Sequence, residues 1–261
     1  VKYMKKAFSL AEILVTLTII GVIASMTIPN LQTNAHKREL AAGCKKAFST
    51  LSNAIALAEQ ANGPVRKWGL SDNSSAEDFE EYLLPYLNVM QVCKNQSGCF
   101  GEGKFYKADK SEYTEISDKG YGTPAVSFIL ADGTNASYDY AGDGGTDTKM
   151  FGVNATKPIM VFAVDVNGTK NPNTLGQDVF FFVNTRDGLK PAGTDAATGE
   201  INCGRGKDGS ECAALVIKYG DLDYDKHLAE EAAAGGSEGD SDGGESSGDK
   251  DKDKGQSQGK K

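Results

Sequence analysis

An acidic side chain lies inside an otherwise apolar segment near the N-terminus. From Phe8 to Ile28, Glu12 is the only formally charged residue. A carboxylate in a membrane segment costs about 2.5–3.5 kcal/mol on insertion scales, so a group of this kind usually has a partner and a function. No cationic side chain follows Glu12 before His36. The segment itself therefore supplies no counter-charge.

The order of residues around Glu12 differs from that of a secretory signal peptide. Such a peptide has its small-residue cleavage site after the apolar core, whereas here the small residue, Ala7, precedes the apolar run. If the chain is cut after Ala7, the apolar segment stays in the mature protein. Phe8 then becomes the first residue and Glu12 the fifth.

The run Lys5-Lys6-Ala7-Phe8-Ser9-Leu10-Ala11-Glu12 resembles the class III leader and N-terminal helix of type IV prepilins and type II secretion pseudopilins. The resemblance implies a membrane aspartyl peptidase that cuts after Ala7 and methylates the nitrogen of Phe8. It also implies that Glu12 pairs with the new Phe8 amino group of a neighbouring subunit, which would fix the register of adjacent helices. The family most often has Gly where this chain has Ala7, so we expect slower processing.

The apolar segment is long enough to span a bilayer, since about 20 apolar residues suffice. Lys2, Lys5 and Lys6 precede it, and no Asp or Glu does. The leader is therefore expected in the cytoplasm, and the globular remainder of the chain, the head, in the periplasm or outside the cell. The alternative is a single-pass anchor with Glu12 near the headgroups, which does not explain the order of small residue, Phe and Glu. Pro29 ends the run and predicts a kink or local melting near residues 24–29, because it removes a backbone donor and clashes with the preceding turn.

The rest of the sequence predicts a long helix followed by strands. Apolar residues recur at three- and four-residue steps between Leu31 and Ala61, as in an amphipathic helix. Asn62-Gly63-Pro64 then ends it, so residues 8–61 form one helix about 80 Å long at 1.5 Å per residue. A short helix is predicted from Ser75 to Val92.

Four strands are expected, and Asp132-Gly133 predicts a hairpin turn between the first two. A long helix followed by an antiparallel sheet is an α+β fold, and the resemblance implies that the sheet packs on the second half of the helix as in pilins. The predicted strands cover Val126–Leu130, Ala136–Tyr140, Ile159–Val166 and Val179–Val183.

Five cysteines occur at positions 44, 93, 99, 203 and 212. In an exported protein, close pairs are more often disulfides than thiols, and proximity favours Cys93 with Cys99 and Cys203 with Cys212. Four cysteines allow three connectivities, and Cys44 is either a buried apolar residue or a rival partner. A zinc site is disfavoured because there is no C-x-x-C motif and the two histidines lack ligand spacing.

Two acidic sets could bind calcium, which major pseudopilins hold in a loop near the end of their domain and which prefers oxygen ligands. The first set is Asp165, Asn167 and Asp178, and the second is Asp139, Asp143 and Asp147. Neither set matches the EF-hand pattern. The alternative is that these residues form ordinary polar turns.

The sequence supports neither catalysis nor nucleic-acid binding. His36 and His227 belong to no Ser-His-acid or Cys-His arrangement that the sequence can define. A formal net charge of −8 disfavours binding to a phosphate backbone, which depends on clustered Lys and Arg. The expected partners, implied by the resemblance, are copies of this chain, other pilin-like subunits, the prepilin peptidase and an inner-membrane assembly platform.

The expected organisation has four parts. These are a leader at 1–7, a transmembrane and filament-core helix at 8–28, a globular domain at 29–228 that includes the helical spine 30–61, and a disordered acidic tail at 229–261 that lacks the apolar surface needed to fold. The expected function is that of a structural subunit of a type IV pilus or a type II secretion pseudopilus, located in the inner membrane before assembly. The alternatives are a minor or tip subunit and a membrane-anchored binding protein.

Overall fold

The structure is a computed structural model. It describes residues 9–70, 75–101, 103–122, 125–141, 147–156, 159–185, 187–197 and 199–235. The cleavage-site residues Ala7 and Phe8 lie outside these ranges.

One helix, α1, runs from Leu10 to Asn62. It begins at Ser9, whose side chain accepts a hydrogen bond from the backbone of Glu12. It ends at Gly63, which has φ of 80° and donates its N–H to the carbonyl of Glu59 at 2.9 Å. The prediction of one long helix is confirmed over the described residues. The backbone of Pro29 is helical, so residues 24–29 are not melted, and a bend at this position stays a prediction.

The second half of α1 carries an apolar stripe that packs on the head. Its buried residues recur at three- and four-residue steps, the spacing of one helix face. Phe48 contacts Phe182 of the sheet with ring centroids 5.4 Å apart. The buried positions of the stripe are Leu40, Ala41, Cys44, Ala47, Leu51, Ala54, Ile55 and Ala58.

The predicted helix from Ser75 to Val92 is wrong in its second half. Helical turns cover Ser75–Asp78 (α2), Phe79–Leu83 in π geometry and Leu84–Tyr86 in 3₁₀ geometry. A strand, β1, then runs from Val89 to Lys94. Pro85, whose ring cannot continue an α-helix, lies where the helical turns end.

The head is built on a six-stranded sheet in the order β1-β4-β5-β8-β9-β10, with every neighbouring pair antiparallel. The α+β, pilin-like fold class predicted from the sequence is thereby confirmed. The hairpin at Asp132-Gly133 joins β4 to β5 as predicted. Besides β1, the sheet contains β4 (Val126–Leu130), β5 (Asn135–Ala141), β8 (Ile159–Asp165), β9 (Val179–Thr185) and β10 (Gly188–Pro191).

Both faces of the sheet are covered at β9, where all seven residues are buried. Phe182 lies opposite Phe162, which lies opposite Tyr138, and this row faces α1. On the opposite face, Phe181 stacks on Phe151 at 4.2 Å. A strand covered on both sides reads as a continuous apolar run, which explains the sequence Val-Phe-Phe-Phe-Val.

Two small hairpins and two helices complete the head. The hairpins pair β2 (Ile116–Ser117) with β3 (Gly120–Tyr121) and β6 (Asp147–Met150) with β7 (Val153–Thr156). The helices are α3 (Ala213–Tyr219) and α4 (Tyr224–Gly235). The expectation of disorder from residue 229 is therefore wrong for 229–235, which are helical, while 236–261 lie outside the described residues.

Candidate functional site

In the part of the chain that the structure describes, no other element covers the first half of α1. Leu10–Thr27 is the one candidate membrane span among the described residues, and none of that window is buried inside the protein. Leu10 is 81% exposed and Met26 is 69% exposed. A contiguous apolar surface of this length marks a membrane or protein interface.

Glu12 lies in a capping box at the start of this helix. Its Oε2 accepts hydrogen bonds from the Ser9 backbone N–H at 3.1 Å and from the Ser9 hydroxyl at 3.3 Å. The Ser9 Oγ in turn accepts the Glu12 backbone N–H at 3.2 Å. Two donors that would otherwise be unpaired at the helix end are satisfied in this way, and the carboxylate lies near the positive end of the helix dipole.

The other polar side chains of the span bond to their own helix. The Thr16 and Thr18 hydroxyls donate to the carbonyls of Glu12 at 3.0 Å and Leu14 at 2.8 Å. Ser25 and Thr27 donate in the same way to carbonyls of the preceding turn. Polar groups in lipid must be satisfied internally, so these four hydroxyls do not prevent membrane insertion.

A second polar cluster lies where β8 ends and β9 begins. Asp165 is the last residue of β8, and Asp178 directly precedes β9. The Asn167 side chain donates to Asp178 Oδ2 at 2.9 Å, and its backbone N–H donates to Asp165 Oδ1 at 3.2 Å. The structure therefore brings together the three residues of the first predicted calcium set.

The two carboxyl groups of this cluster are fully buried. Burial, and then the neighbouring Asp178, raise the pKa of Asp165 to about 8. Burial also raises the pKa of Asp178, although backbone N–H groups of Thr174 and Asn173 and the Asn167 side chain oppose the shift by donating to its carboxylate. Asp178 is the better stabilised anion because it has more donors.

The cluster offers oxygens that lack hydrogen-bond partners. Asp165 Oδ2 and Asn167 Oδ1 are buried without one, and buried polar atoms of this kind need an explanation such as a bound ion or water. Together with Asp178 they form an oxygen-only donor set, which suits a hard cation such as calcium. In the described residues no group of three or more His, Cys, Asp or Glu is placed to hold a metal, so Asn167 would have to contribute.

The second predicted calcium set is not brought together by anything the structure describes. Asp143 and the side chain of Asp147 lie outside the described residues. Asp139 lies on β5, where it pairs with Val161 of β8.

Asp223 and Tyr224, at the start of α4, connect the second half of α1 to the loop that contains Asp178. Lys37 Nζ lies 2.9 Å from Asp223 Oδ1, and the Tyr224 hydroxyl donates to the carbonyl of Gly176 at 2.6 Å. A cleft of about 680 Å³ lies between these elements. The part of α1 that lines it starts at Thr33, six residues after the exposed apolar span ends.

The structure contains disulfides between Cys93 and Cys99 and between Cys203 and Cys212. Cys44 is a buried free thiol, and burial raises the pKa of this thiol well above its usual range. Of the two readings left open by the sequence, Cys44 thus takes the role of a buried apolar residue in the stripe of α1.

Among the residues that the structure describes, neither histidine belongs to a Ser-His-acid or Cys-His arrangement. His36 is exposed on α1, with Nδ1 3.7 Å from Glu39. His227 is buried on α4, where Nε2 lies 2.8 Å from Asp221 Oδ1 and the ring stacks on Tyr219 at 3.8 Å. The sequence did not predict the role of His227 in docking α4, because the expected domain ended at residue 228 and everything after it was expected to be disordered.

The comparisons with known proteins concern the N-terminal segment. The prokaryotic N-terminal methylation motif matches residues 2–28. The segment begins with a type IV prepilin-like class III leader. The class III leader supports a pilin-like or pseudopilin-like precursor, and the apolar helix that follows is compatible with membrane anchoring. No curated protein and no solved structure matches the chain.

Proposed function

We propose that this protein is a structural subunit of a type IV pilus or a type II secretion pseudopilus. The observation that carries the proposal is the coincidence of two features. The methylation motif spans residues 2–28, and the same residues include an uncovered apolar helix that projects from a folded α+β head. Such a helix needs lipid before assembly and neighbouring copies of itself afterwards.

Processing prepares the subunit for assembly. The prepilin peptidase cuts between Ala7 and Phe8, and the new Phe8 nitrogen is methylated. The N-terminal helix holds the subunit in the inner membrane with its head in the periplasm. An inner-membrane assembly platform then transfers it from lipid into the filament.

Assembly joins each helix to its neighbours through apolar contact and one ion pair. The Glu12 carboxylate of one copy pairs with the Phe8 amino group of the next. Breaking a buried pair of this kind leaves an uncompensated charge at a cost of about 3–5 kcal/mol. The pair therefore selects one axial register. A head-to-tail contact of this kind generates an open helical filament when the rotation between subunits does not close a ring.

The test compares wild type with Glu12→Gln in the native host. Intact-mass and N-terminal peptide mass spectrometry determine the start of the mature chain, and mechanical shearing separates filaments from membranes. We expect wild type to begin at Phe8 with one added methyl group and to occur in the sheared fraction. Glu12→Gln, which keeps the size of the side chain and removes its charge, should remain in the membrane.

A control and two contrary results define this test. Glu39→Gln, an exposed acid on the same helix beyond the apolar span, should assemble as wild type does. A chain that retains residues 1–7, or that is cut after the apolar run, contradicts the proposal and favours the anchored binding protein. A processed subunit that occurs in filaments at only a few copies per filament supports the minor-subunit alternative.

We further propose that the cluster of Asp165, Asn167 and Asp178 binds calcium. The unpartnered buried oxygens on Asp165 and Asn167 favour this assignment. A bound cation would neutralise two buried carboxyl groups and hold the β8–β9 connection closed.

Calcium binding is tested by thermal unfolding of the full chain in detergent at pH 8, with calcium, magnesium or EDTA. We expect calcium to raise Tm more than magnesium does. Asp165→Asn should abolish that difference, while Asp187→Asn, at an exposed turn, should keep it. Equal Tm values in calcium and EDTA contradict the proposal.

A further inference from the structure

Ser9 and Glu12 form the capping box at the N-terminal end of α1, which becomes the start of the mature chain after cleavage behind Ala7. Three hydrogen bonds connect the two residues, and two of them use the Ser9 hydroxyl. Both bonds to the carboxylate end on Oε2. No donor among the described residues hydrogen-bonds to Oε1.

The apolar surroundings of Glu12 make the capping box important for the position of its carboxylate. The side chains of this part of α1 are exposed, and apolar residues surround Glu12. In lipid no water can satisfy a carboxylate, so its hydrogen bonds must come from protein. Without the box, the Glu12 side chain could turn along the helix toward lipid, and fixing it again during assembly would cost rotamer entropy.

We propose that Ser9 is a positioning residue for Glu12. Its hydroxyl holds the Glu12 carboxylate at the N-terminal end of α1 through Oε2 and leaves Oε1 to accept the amino group of a neighbouring copy. The inference rests on the proposed filament function. Ser9 makes no contact with the neighbour in this scheme, and it acts by pre-organising the group that does.

Three substitutions separate this role from simple helix capping. Ser9→Thr keeps the hydroxyl. Ser9→Gly loses the hydroxyl but caps a helix almost as well as Ser, whereas Ser9→Ala loses both properties. A residue that only caps the helix would tolerate Gly, and a residue that positions Glu12 would not.

The experiment measures the amount of each variant in sheared filaments from the native host. The amount is divided by the number of chains cut after Ala7, as determined by mass spectrometry. Slower cleavage therefore cannot imitate an assembly defect. Glu12→Gln is measured in parallel.

We expect Ser9→Thr to match wild type. Ser9→Gly and Ser9→Ala should both fall about fivefold, the factor that corresponds to one net hydrogen bond. Wild-type yield from Ser9→Gly overturns the inference, whether or not Ser9→Ala is defective. If Glu12→Gln itself assembles normally, the proposed function fails, which is distinct from a failure of the Ser9 inference alone.

Discussion

Asn167 donates its side-chain amide to Asp178 Oδ2 at 2.9 Å, which connects the turn after β8 to the residue before β9. Asp178 also accepts the backbone N–H groups of Asn173 and Thr174. One buried carboxylate therefore holds three residues of the connection between the neighbouring strands β8 and β9.

Asp178→Ala should be strongly destabilising because it leaves these buried donors without an acceptor. Each unsatisfied donor costs about 1–3 kcal/mol, so we expect the free energy of unfolding to fall by roughly 3 kcal/mol or more. Urea unfolding of the full chain in detergent, followed by fluorescence of Trp68, the single tryptophan, measures the change. The exposed Asp187→Ala is the matched control and should stay within about 0.5 kcal/mol of wild type. Equal losses for both variants would contradict the role assigned to Asp178.

The raised pKa of Asp165 predicts that the folded protein loses stability as the pH rises. Burial raises its pKa in the folded state to about 8, whereas an unfolded Asp titrates near 3.9. The folded state therefore keeps a proton that the unfolded state releases, so this contribution is complete below about pH 4 and is lost as the pH approaches 8. The shift corresponds to at most about 6 kcal/mol.

Unfolding midpoints in EDTA between pH 5 and pH 8.5 test this pH dependence. Wild type should become less stable across the range, and Asp165→Asn, which cannot ionise, should show a clearly flatter profile. Asp187→Asn should retain the wild-type slope. A wild-type profile that rises over this range would show that Asp165 is ionised in the folded protein.

The cysteines predict a specific labelling pattern. Two disulfides account for four of the five cysteines, and the fifth, Cys44, is a buried thiol with a raised pKa. Because the thiolate is the reactive form, iodoacetamide should label no cysteine in the native protein. It should label Cys44 alone after denaturation without reductant, and all five after reduction. Native labelling at Cys93 or Cys203 would contradict the disulfide pairs.

Two glycines of α1 should respond differently to the same substitution. A Cβ on Gly43 would lie 3.0 Å from Cβ of Val166, whereas a Cβ on Gly21 would meet nothing within 4 Å. Alanine favours a helix over glycine by about 1 kcal/mol, yet Gly43→Ala should lower Tm because it pushes the spine away from the turn after β8. Gly21→Ala should leave the Tm of the head unchanged. A Tm for Gly43→Ala at or above that of wild type would show that Val166 yields easily.

Local sequence patterns were sufficient to predict the features that depend on residues close together in the chain. The three- and four-residue spacing of apolar positions defined α1, and Asp132-Gly133 defined its hairpin. The Ser-x-x-Glu pattern at Ser9 and Glu12 is also the sequence pattern of a capping box, a local role of Glu12 that was not predicted.

The errors occurred where packing outweighs composition. The segment after Pro85 became strand β1 because it pairs with β4 across the sheet. The polar, alanine-rich residues 229–235 form part of α4 because contacts from other elements support it, including the Tyr219–His227 stack and the ion pair of Lys218 with Glu231 at 2.6 Å. None of these partners is close in sequence to the residues it supports.

The sequence by itself determined the leader, the apolar span, the acidic residue within it and the length of the spine, because each is written in consecutive residues or in a fixed helical spacing. Only the tertiary structure decided that Asp165 and Asp178 are buried side by side and that Asn167 connects them. Those facts depend on strand register and on the cover over both faces of the sheet, and burial is what raises the pKa of both carboxyl groups.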